Sequence, residues 1–500
     1  MNLLKKQGFY NSIILYAGTA LGFFNLIILF QRVLTIEEIG FFSLLIAISV
    51  LYAQIASLGI NSIILRYFPY YRSEDRKHGG FVNFVCLFTL FSFLIFTLLF
   101  ILFKTPVINH YKGKTGSSLL IHYYYYLIPV SFFTVVYTVL ESLARTVFKN
   151  VLSAFLKEVL LRVFTSISIL LILFKWINYH HFIVIYVIAN ALIAFILWIS
   201  IYRGKHFRLN PITVEIKKNS REMISYGFFA VLSGGSFVMI QNLDLIMLSA
   251  MTEKSLALVG VYTTFFGIAT VISLPAKALN RTSYQIIADA FKDNDLAKIG
   301  KIYYKTSVIQ ALLGCLLLVG LIINKNHILY LLHKPEYQLY FNVFIVVGLA
   351  FLVDITGGLN GGIISSSKYY RLVTLFLALA VVLCFVLNLI LIPTLGMISA
   401  AYSYLIVNFL LNFTYWLFIK VKFGLQPFNR SHAWIIVISI ICLAIGWYLP
   451  TFSNYYIDAI YRSVIVTIIY SLMAYFLKVS DDINILFDNI ILRKRPEIHE

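Results

Sequence analysis

The segment FVNFVCLFTLFSFLIFTLLFILF, residues 81–103, carries no charged side chain, and stretches like it recur from one end of the chain to the other. A helix rises 1.5 Å per residue, so about 20 apolar residues cross the roughly 30 Å of bilayer hydrocarbon. Backbone amides at that depth have no water to bond, so only helices and closed barrels can span, and these runs are far longer than barrel strands. The pattern predicts an all-α polytopic membrane protein. Composition agrees: 60% of the 500 residues are hydrophobic and 12% are charged, about half the charge of an ordinary soluble domain.

The apolar runs place about fourteen transmembrane helices, at 11–31, 40–64, 80–103, 119–143, 155–175, 182–202, 223–249, 257–276, 305–324, 339–363, 371–392, 396–419, 432–449 and 459–477. A weak repeat organises them. TIEEIGFFSLLIAI leads into the second span and SLALVGVYTTFFGIA into the eighth, each with a glycine (Gly40, Gly260) and an aromatic just after a short loop. Transporters are often built from related halves with the substrate site at their interface. The expected organisation is therefore two pseudo-symmetric six-helix lobes, 1–202 and 223–419, joined by a basic cytoplasmic linker, 203–222. A C-terminal helix pair with an amphipathic cytoplasmic tail, 420–500, follows.

Forty Lys and Arg stand against 21 Asp and Glu, a net charge of +19. Nucleic acid is not the expected partner, because the cations are scattered through short loops rather than gathered on a polar domain. Assigned to alternate sides, 31 of the 40 fall with the termini and 9 on the opposite side. Cytoplasmic loops hold the excess of Lys and Arg, so both termini are expected inside. HYYYY, 122–126, then falls at the outer interface, where Tyr is favoured. Lys5 and Lys6 precede the first run without a small-residue cleavage site after it, so that run reads as a retained helix. SYQIIADAFKDNDLAKIGKIYY and DDINILFDNIILRKR alternate apolar and charged residues at helical spacing; they read as membrane-surface helices or as solvated loop helices.

Polar residues inside the runs are the functional candidates. Asp354, in DITGGLNGGIISSSKYYR, lies midway along its span, where an ionised carboxylate costs about 2.5–3.5 kcal/mol or more without water or a partner. It is a pathway residue or a buried hydrogen-bonding one. The stretch lacks the Gly-Lys-Ser/Thr end of a phosphate-binding loop. Its glycines, four apart, read as a smooth helix face for close packing. Asp244 sits one turn beyond Gln241. Glu141–Arg145 and Glu158–Arg162 are i,i+4 pairs in the favoured order. Arg32, Arg66 and Lys277 lie at span ends, where they line a cavity or snorkel to the interface. Pro129 and Pro275 are expected to kink their spans. The four cysteines lie apart in apolar runs, no histidine keeps metal-site spacing, and no catalytic constellation appears, so no catalytic residue, metal or cofactor is expected.

YNSIILYAGTALGFFNLIILFQRVLTIEEIGFFSLLIAI resembles the first hairpin of the polysaccharide flippases of the multidrug/oligosaccharidyl-lipid/polysaccharide (MOP) exporter superfamily, through Asn11, Gly18, Gly22, Arg32, Glu38 and Gly40. ASLGINSIILRYFP, with Gly59 and Arg66, is similar to that family's second helix. NLDLIMLSAMTEKSLALVGVYTTFFGIATVISLPAKAL is similar to the start of its second half, through Asp244, Gly260, Tyr262 and Pro275. The resemblance implies alternating access and translocation of polyprenyl-pyrophosphate-linked oligosaccharide to the outer leaflet of the bacterial inner membrane. Arg66, Arg145, Arg162, Arg32 and Lys277 would hold the pyrophosphate. Asp354, Asp244, Glu141 and Glu158 would be the cavity or ion-coupling carboxylates. The implied partners are the lipid-linked oligosaccharide, membrane lipids, a coupling cation (H+ or Na+) and polysaccharide-assembly proteins. A drug antiporter of the same superfamily would call for an acidic cavity, and a membrane-embedded polymerase for a large outer loop.

The charge split makes a topological prediction. A cysteine placed at Asn210 should resist a membrane-impermeant thiol reagent added to sealed cells and react once the cells are opened; labelling in sealed cells would reverse the orientation.

Overall fold

The computed structural model describes residues 2–73, 75, 77–114, 116–204 and 206–491, and among these every regular element is a helix. Twelve helices are long and apolar enough to cross a membrane, and each overlaps one of the fourteen anticipated spans. The other two anticipated spans are helical but irregular. Residues 155–175 fall on Asn150–Phe155, a π-helical turn Leu156–Leu160, and Leu161–Leu173, with Lys157, Glu158 and Arg162 on this stretch. Residues 223–249 fall on Val214–Ala230, a π turn Val231–Gly235, and Ser236–Met251. A third π turn, Phe24–Leu29, lies in the first span. Such turns insert one extra residue and are common at functional sites.

Helix starts follow from local chemistry. Thr35 Oγ1 accepts from the Glu38 N–H at 3.2 Å while the Glu38 carboxylate accepts from the Thr35 N–H at 2.8 Å. This capping box satisfies donors that hydrocarbon cannot, and such caps contribute about 1 kcal/mol. Asn178 and Asn454 cap the helices Tyr179–Arg203 and Tyr455–Phe476 more simply, each side chain accepting from first-turn N–H groups without a return bond. The two prolines expected to kink their spans both stand near helix starts within those spans. Pro129 is in the first turn of Leu127–Thr146, and Pro275 opens Leu274–Lys292 after a 3-10 turn. A missing N–H costs nothing there.

The chain divides into two compact units, residues 1–264 with 384–397, and residues 265–383 with 398–500. In the first, Ile60, Ile63, Phe68, Phe81, Val85 and Leu140 belong to one buried core cluster. The helix Ile36–Ala56 meets Ser255–Ala269 at the two repeat glycines: a methyl on Gly40 would lie 1.8 Å from the Leu256 carbonyl oxygen, and one on Gly260 2.3 Å from that of Ile36. The repeat is thus a backbone-to-backbone crossing. The second span also ends earlier than expected. Ser57–Gly59 turn through positive φ at Leu58 (43°) and Gly59 (76°) before Ile60–Tyr71 begins.

In the second unit one core gathers Val308, Leu312, Ile438 and Tyr470, and another gathers Ile287, Ala290, Ile299, Tyr303 and Ile363. That second core takes up part of the apolar face of 283–304: Ile287 and Ala290 are buried against the unit, whereas Ile286 stays 40% exposed. In the tail, Asp482 pairs with Lys305 at 2.6 Å, and the basic end of the amphipathic stretch lies outside the described residues.

Gly40→Ala or Gly260→Ala should lower the melting temperature of the purified protein by several degrees, because a methyl inside 3 Å of a carbonyl forces two helices apart. Gly320→Ala is the control, since a methyl there meets nothing within 4 Å, and it should match or exceed the parent.

Candidate functional site

A cavity of about 330 Å³ lies inside the first unit, among the first two spans, Leu127–Thr146, the irregular 150–173 helix and Tyr179–Arg203. Asn25, Thr138, Lys157, Glu158, Arg162 and Asn190 supply its polar wall. Two of the three π turns contribute to it: Phe24–Leu29 carries Asn25, and Leu156–Leu160 carries Lys157 and Glu158.

Arg162 is held from several sides. Its Nη2 donates to Glu158 at 2.9 Å and its Nη1 donates to the Gly18 carbonyl. The glycines of the first span make this approach achievable. A methyl on Gly22 would lie 2.9 Å from Arg162 Nη1, and one on Gly18 would lie 2.6 Å from the Glu158 carbonyl oxygen. Asn25 Nδ2 donates to the Arg162 carbonyl at 3.1 Å and Asn25 Oδ1 accepts from Ser166 at 2.6 Å, so the π turn of one helix is pinned to the next. The Glu158 and Arg162 side chains keep 28% and 34% of their surface, so the pair is anchored yet reachable. With Lys157 the trio carries one excess positive charge at an open cavity wall, which suits an anionic group.

Glu141 and Arg145 pair at 2.7 Å nearby, with 53% of the Arg145 side chain open. Tyr137 lies within the fields of Glu141, Glu158 and Arg145, and Lys157 Nζ is 5.9 Å from its ring. Arg66 is exposed and stacks on Tyr226 at 4.3 Å and Tyr67 at 5.3 Å. Arg32 is exposed at the end of the first span. Of the predicted cations, the first unit's cavity therefore gathers Arg162, with Arg145 close by.

The two mid-span aspartates differ. Asp244 is 1% exposed and accepts from Asn388 at 2.6 Å, Tyr262 at 3.1 Å and Cys384 at 3.4 Å, while Asn388 Oδ1 is buried without a hydrogen-bond partner among the described residues. Asp354, in the second unit, is exposed and accepts from Asn412 at 3.2 Å. Behind it runs a polar chain: Tyr303 donates to Asn360 Oδ1, Asn360 Nδ2 donates to Asn412 Oδ1 at 3.2 Å, and Asn412 donates to Asp354. Lys277, also exposed, acts on Asp354 through its charge.

Of the glycines after Asp354, Gly357 serves this chain, and the continuous helix face their spacing suggested is interrupted. The helix breaks at 357–359, with Gly358 at φ 63°. A methyl on Gly357 would lie 2.4 Å from Asn412 Oδ1, and one on Gly362 would lie 2.1 Å from the Tyr284 ring. Gly357 and Gly362 thus each vacate space for a named side chain.

Sequence reasoning passed over Lys157, Asn25, Asn360 and Asn412. It also passed over Asp458, which accepts from Arg462 and His327, both at 2.8 Å, in a buried cluster. Arg462 further donates to the Gly446 and Leu449 carbonyls, tying down the turn before the last span. The i,i+4 spacing of Asp458 and Arg462 was the available clue.

Residues 4–284 match a family described as polysaccharide biosynthesis protein. Among solved structures, the fold is shared with the lipid II flippase MurJ in an inward closed conformation (TM-score 0.73, 16% identity, covering 94% of this chain and 99% of that one). It is shared also with an inward-facing multidrug resistance MATE family transporter of the MOP superfamily (TM-score 0.63, 14% identity, 81% and 94%). A third is the Vibrio cholerae MATE transporter VcmN (TM-score 0.55, 13% identity, 84% and 98%). At these identities the likeness is one of fold. No curated protein matches the chain.

Proposed function

Because this chain belongs to the polysaccharide biosynthesis protein family, we propose that it is a flippase. It moves polyprenyl-pyrophosphate-linked oligosaccharide from the cytoplasmic to the outer leaflet of a bacterial inner membrane by alternating access. The observation that carries the reading is the anchored arginine inside the helices of the first unit. A diphosphate and its sugars cannot enter hydrocarbon alone, and a guanidinium held at a wet cavity wall offers them charge-assisted, forked hydrogen bonds. Glu158 and the Gly18 carbonyl fix its direction, and Lys157 adds the second positive charge. An exporter of cationic drugs would favour the opposite sign. The lipid II flippase MurJ has the same fold, which supports a lipid-borne cargo here.

Asp354 is the coupling carboxylate in this reading. An exposed acid halfway along a span faces water rather than lipid, so it can exchange H+ or Na+, and the Tyr303–Asn360–Asn412 chain holds it in place. Asp244, buried under three donors, acts as a packing anchor.

The test uses protein reconstituted in vesicles with a lipid-linked oligosaccharide. Arg162→Ala should slow flipping about tenfold or more at unchanged protein level, as expected for loss of a charge-assisted contact, and Arg162→Lys should lose less. Asp354→Asn should abolish stimulation by an imposed proton or sodium gradient while substrate binding persists. Full activity in Arg162→Ala would remove the phosphate assignment, and normal gradient response in Asp354→Asn would make that residue structural.

A further inference from the structure

Two further cavities in the first unit have no part in the proposed transport path. One is an apolar slot of about 350 Å³ between Phe81–Leu102, Leu127–Thr146 and Tyr179–Arg203. Leu90, Phe93, Phe133, Val136, Ala191 and Phe195 form most of its wall. It opens on the outer surface of the helices, where Leu90 is 48% and Phe195 54% exposed. The other, about 640 Å³, lies at the end of the same Tyr179–Arg203 helix and is lined by Tyr202, Arg203, Arg208 and Asn210. The two cavities share Trp198 and Phe207.

The chemistry changes in order along this path. Hydrocarbon-lined space comes first. An aromatic ladder follows, with Phe195 stacked on Trp198 at 5.7 Å and Trp198 on Tyr202 at 5.4 Å. Aromatic residues of this kind mark the interface of a membrane. Two guanidinium groups come last, neither with an ion-pair partner among the described residues, and no carboxylate lines the cavity with them. Arg72 adds to the same positive region, since it and Arg208 both act on His78. Asp75, which also acts on His78, is already bonded to Ser73 and the Lys77 amide. A dry slot, an aromatic collar and an unpaired basic rim have the polarity profile of one diacyl phospholipid seen end to end.

We propose that the two cavities form a single site for an anionic glycerophospholipid of the surrounding membrane, with one acyl chain in the slot and the phosphate at Arg203 and Arg208. The charge complementarity of the rim selects the anionic headgroup, and the slot's exposure to the bilayer admits the chain. This site stands whether or not the cargo is a lipid-linked oligosaccharide.

Native mass spectrometry of the full-length purified protein, with dioleoyl-phosphatidylglycerol and dioleoyl-phosphatidylcholine offered together, tests it. The chains are identical, so any preference reports the headgroup. Wild-type protein should retain phosphatidylglycerol in preference. Arg203→Ala combined with Arg208→Ala should cut that preference about tenfold or more, since each cation near a lipid surface adds to the hold on an anionic headgroup. Leu90→Trp, which crowds the mouth from the lipid side without touching the core, should reduce retention of both lipids severalfold. Each variant is checked for the parent's melting temperature. Unchanged preference in the arginine variant, or unchanged retention in Leu90→Trp, would overturn the proposal. So would displacement by glycerophosphoglycerol, which lacks acyl chains, because the site would then bind a free anion. Undecaprenyl phosphate outcompeting phosphatidylglycerol would assign the site to the cargo lipid and overturn it equally.

Discussion

Hydrocarbon supplies no hydrogen bonds, so each polar group carried into it must bring its own partner or keep a path to water. Arg162 does both. It takes an oxygen from Gly18 and a carboxylate from Glu158, and it keeps a third of its side-chain surface open to a cavity. The arrangement depends on glycines one helix away and on two π turns that aim Asn25, Lys157 and Glu158 at the same space. Asp354 meets the same constraint differently, through an amide chain threaded past a broken helix in the second unit.

Length and polarity made most of the architecture legible before any coordinates. Twelve runs such as 81–103 needed only a count of apolar residues to be placed as spanning helices. The repeat glycines were visible too, but their role was not. Gly40 and Gly260 mark a repeat, yet only the folded chain shows that each faces the backbone of the other's helix. The π turns were invisible, because one extra residue in a helical turn leaves no periodicity strong enough to detect in a uniformly apolar run.

The candidate site divides along the same line. The Glu158–Arg162 pair was readable from i,i+4 spacing, whereas Asn25, 137 residues from Arg162 in sequence, joins it only through tertiary packing. Asp354 was legible as an acid at mid-span. Its partners were not, since Asn360 and Asn412 look like ordinary helix residues until a left-handed turn at Gly358 brings them into line. The glycine cluster misled for a related reason: four-residue spacing means a smooth face only if the helix continues, and here it stops at 357–359.

The account centres on the claim that the polar cavity of the first unit receives the phosphates of the cargo. Thr138 lines that cavity, while Leu98 points 59% of its surface outward from a spanning helix. Photo-crosslinking in native membranes, with p-benzoylphenylalanine placed at Thr138 or at Leu98, addresses the claim directly when the cells make labelled lipid-linked oligosaccharide. The account predicts a labelled adduct from Thr138 that disappears with Arg162→Ala, and little from Leu98. An adduct from Leu98 alone, or one from Thr138 that survives Arg162→Ala undiminished, would contradict it.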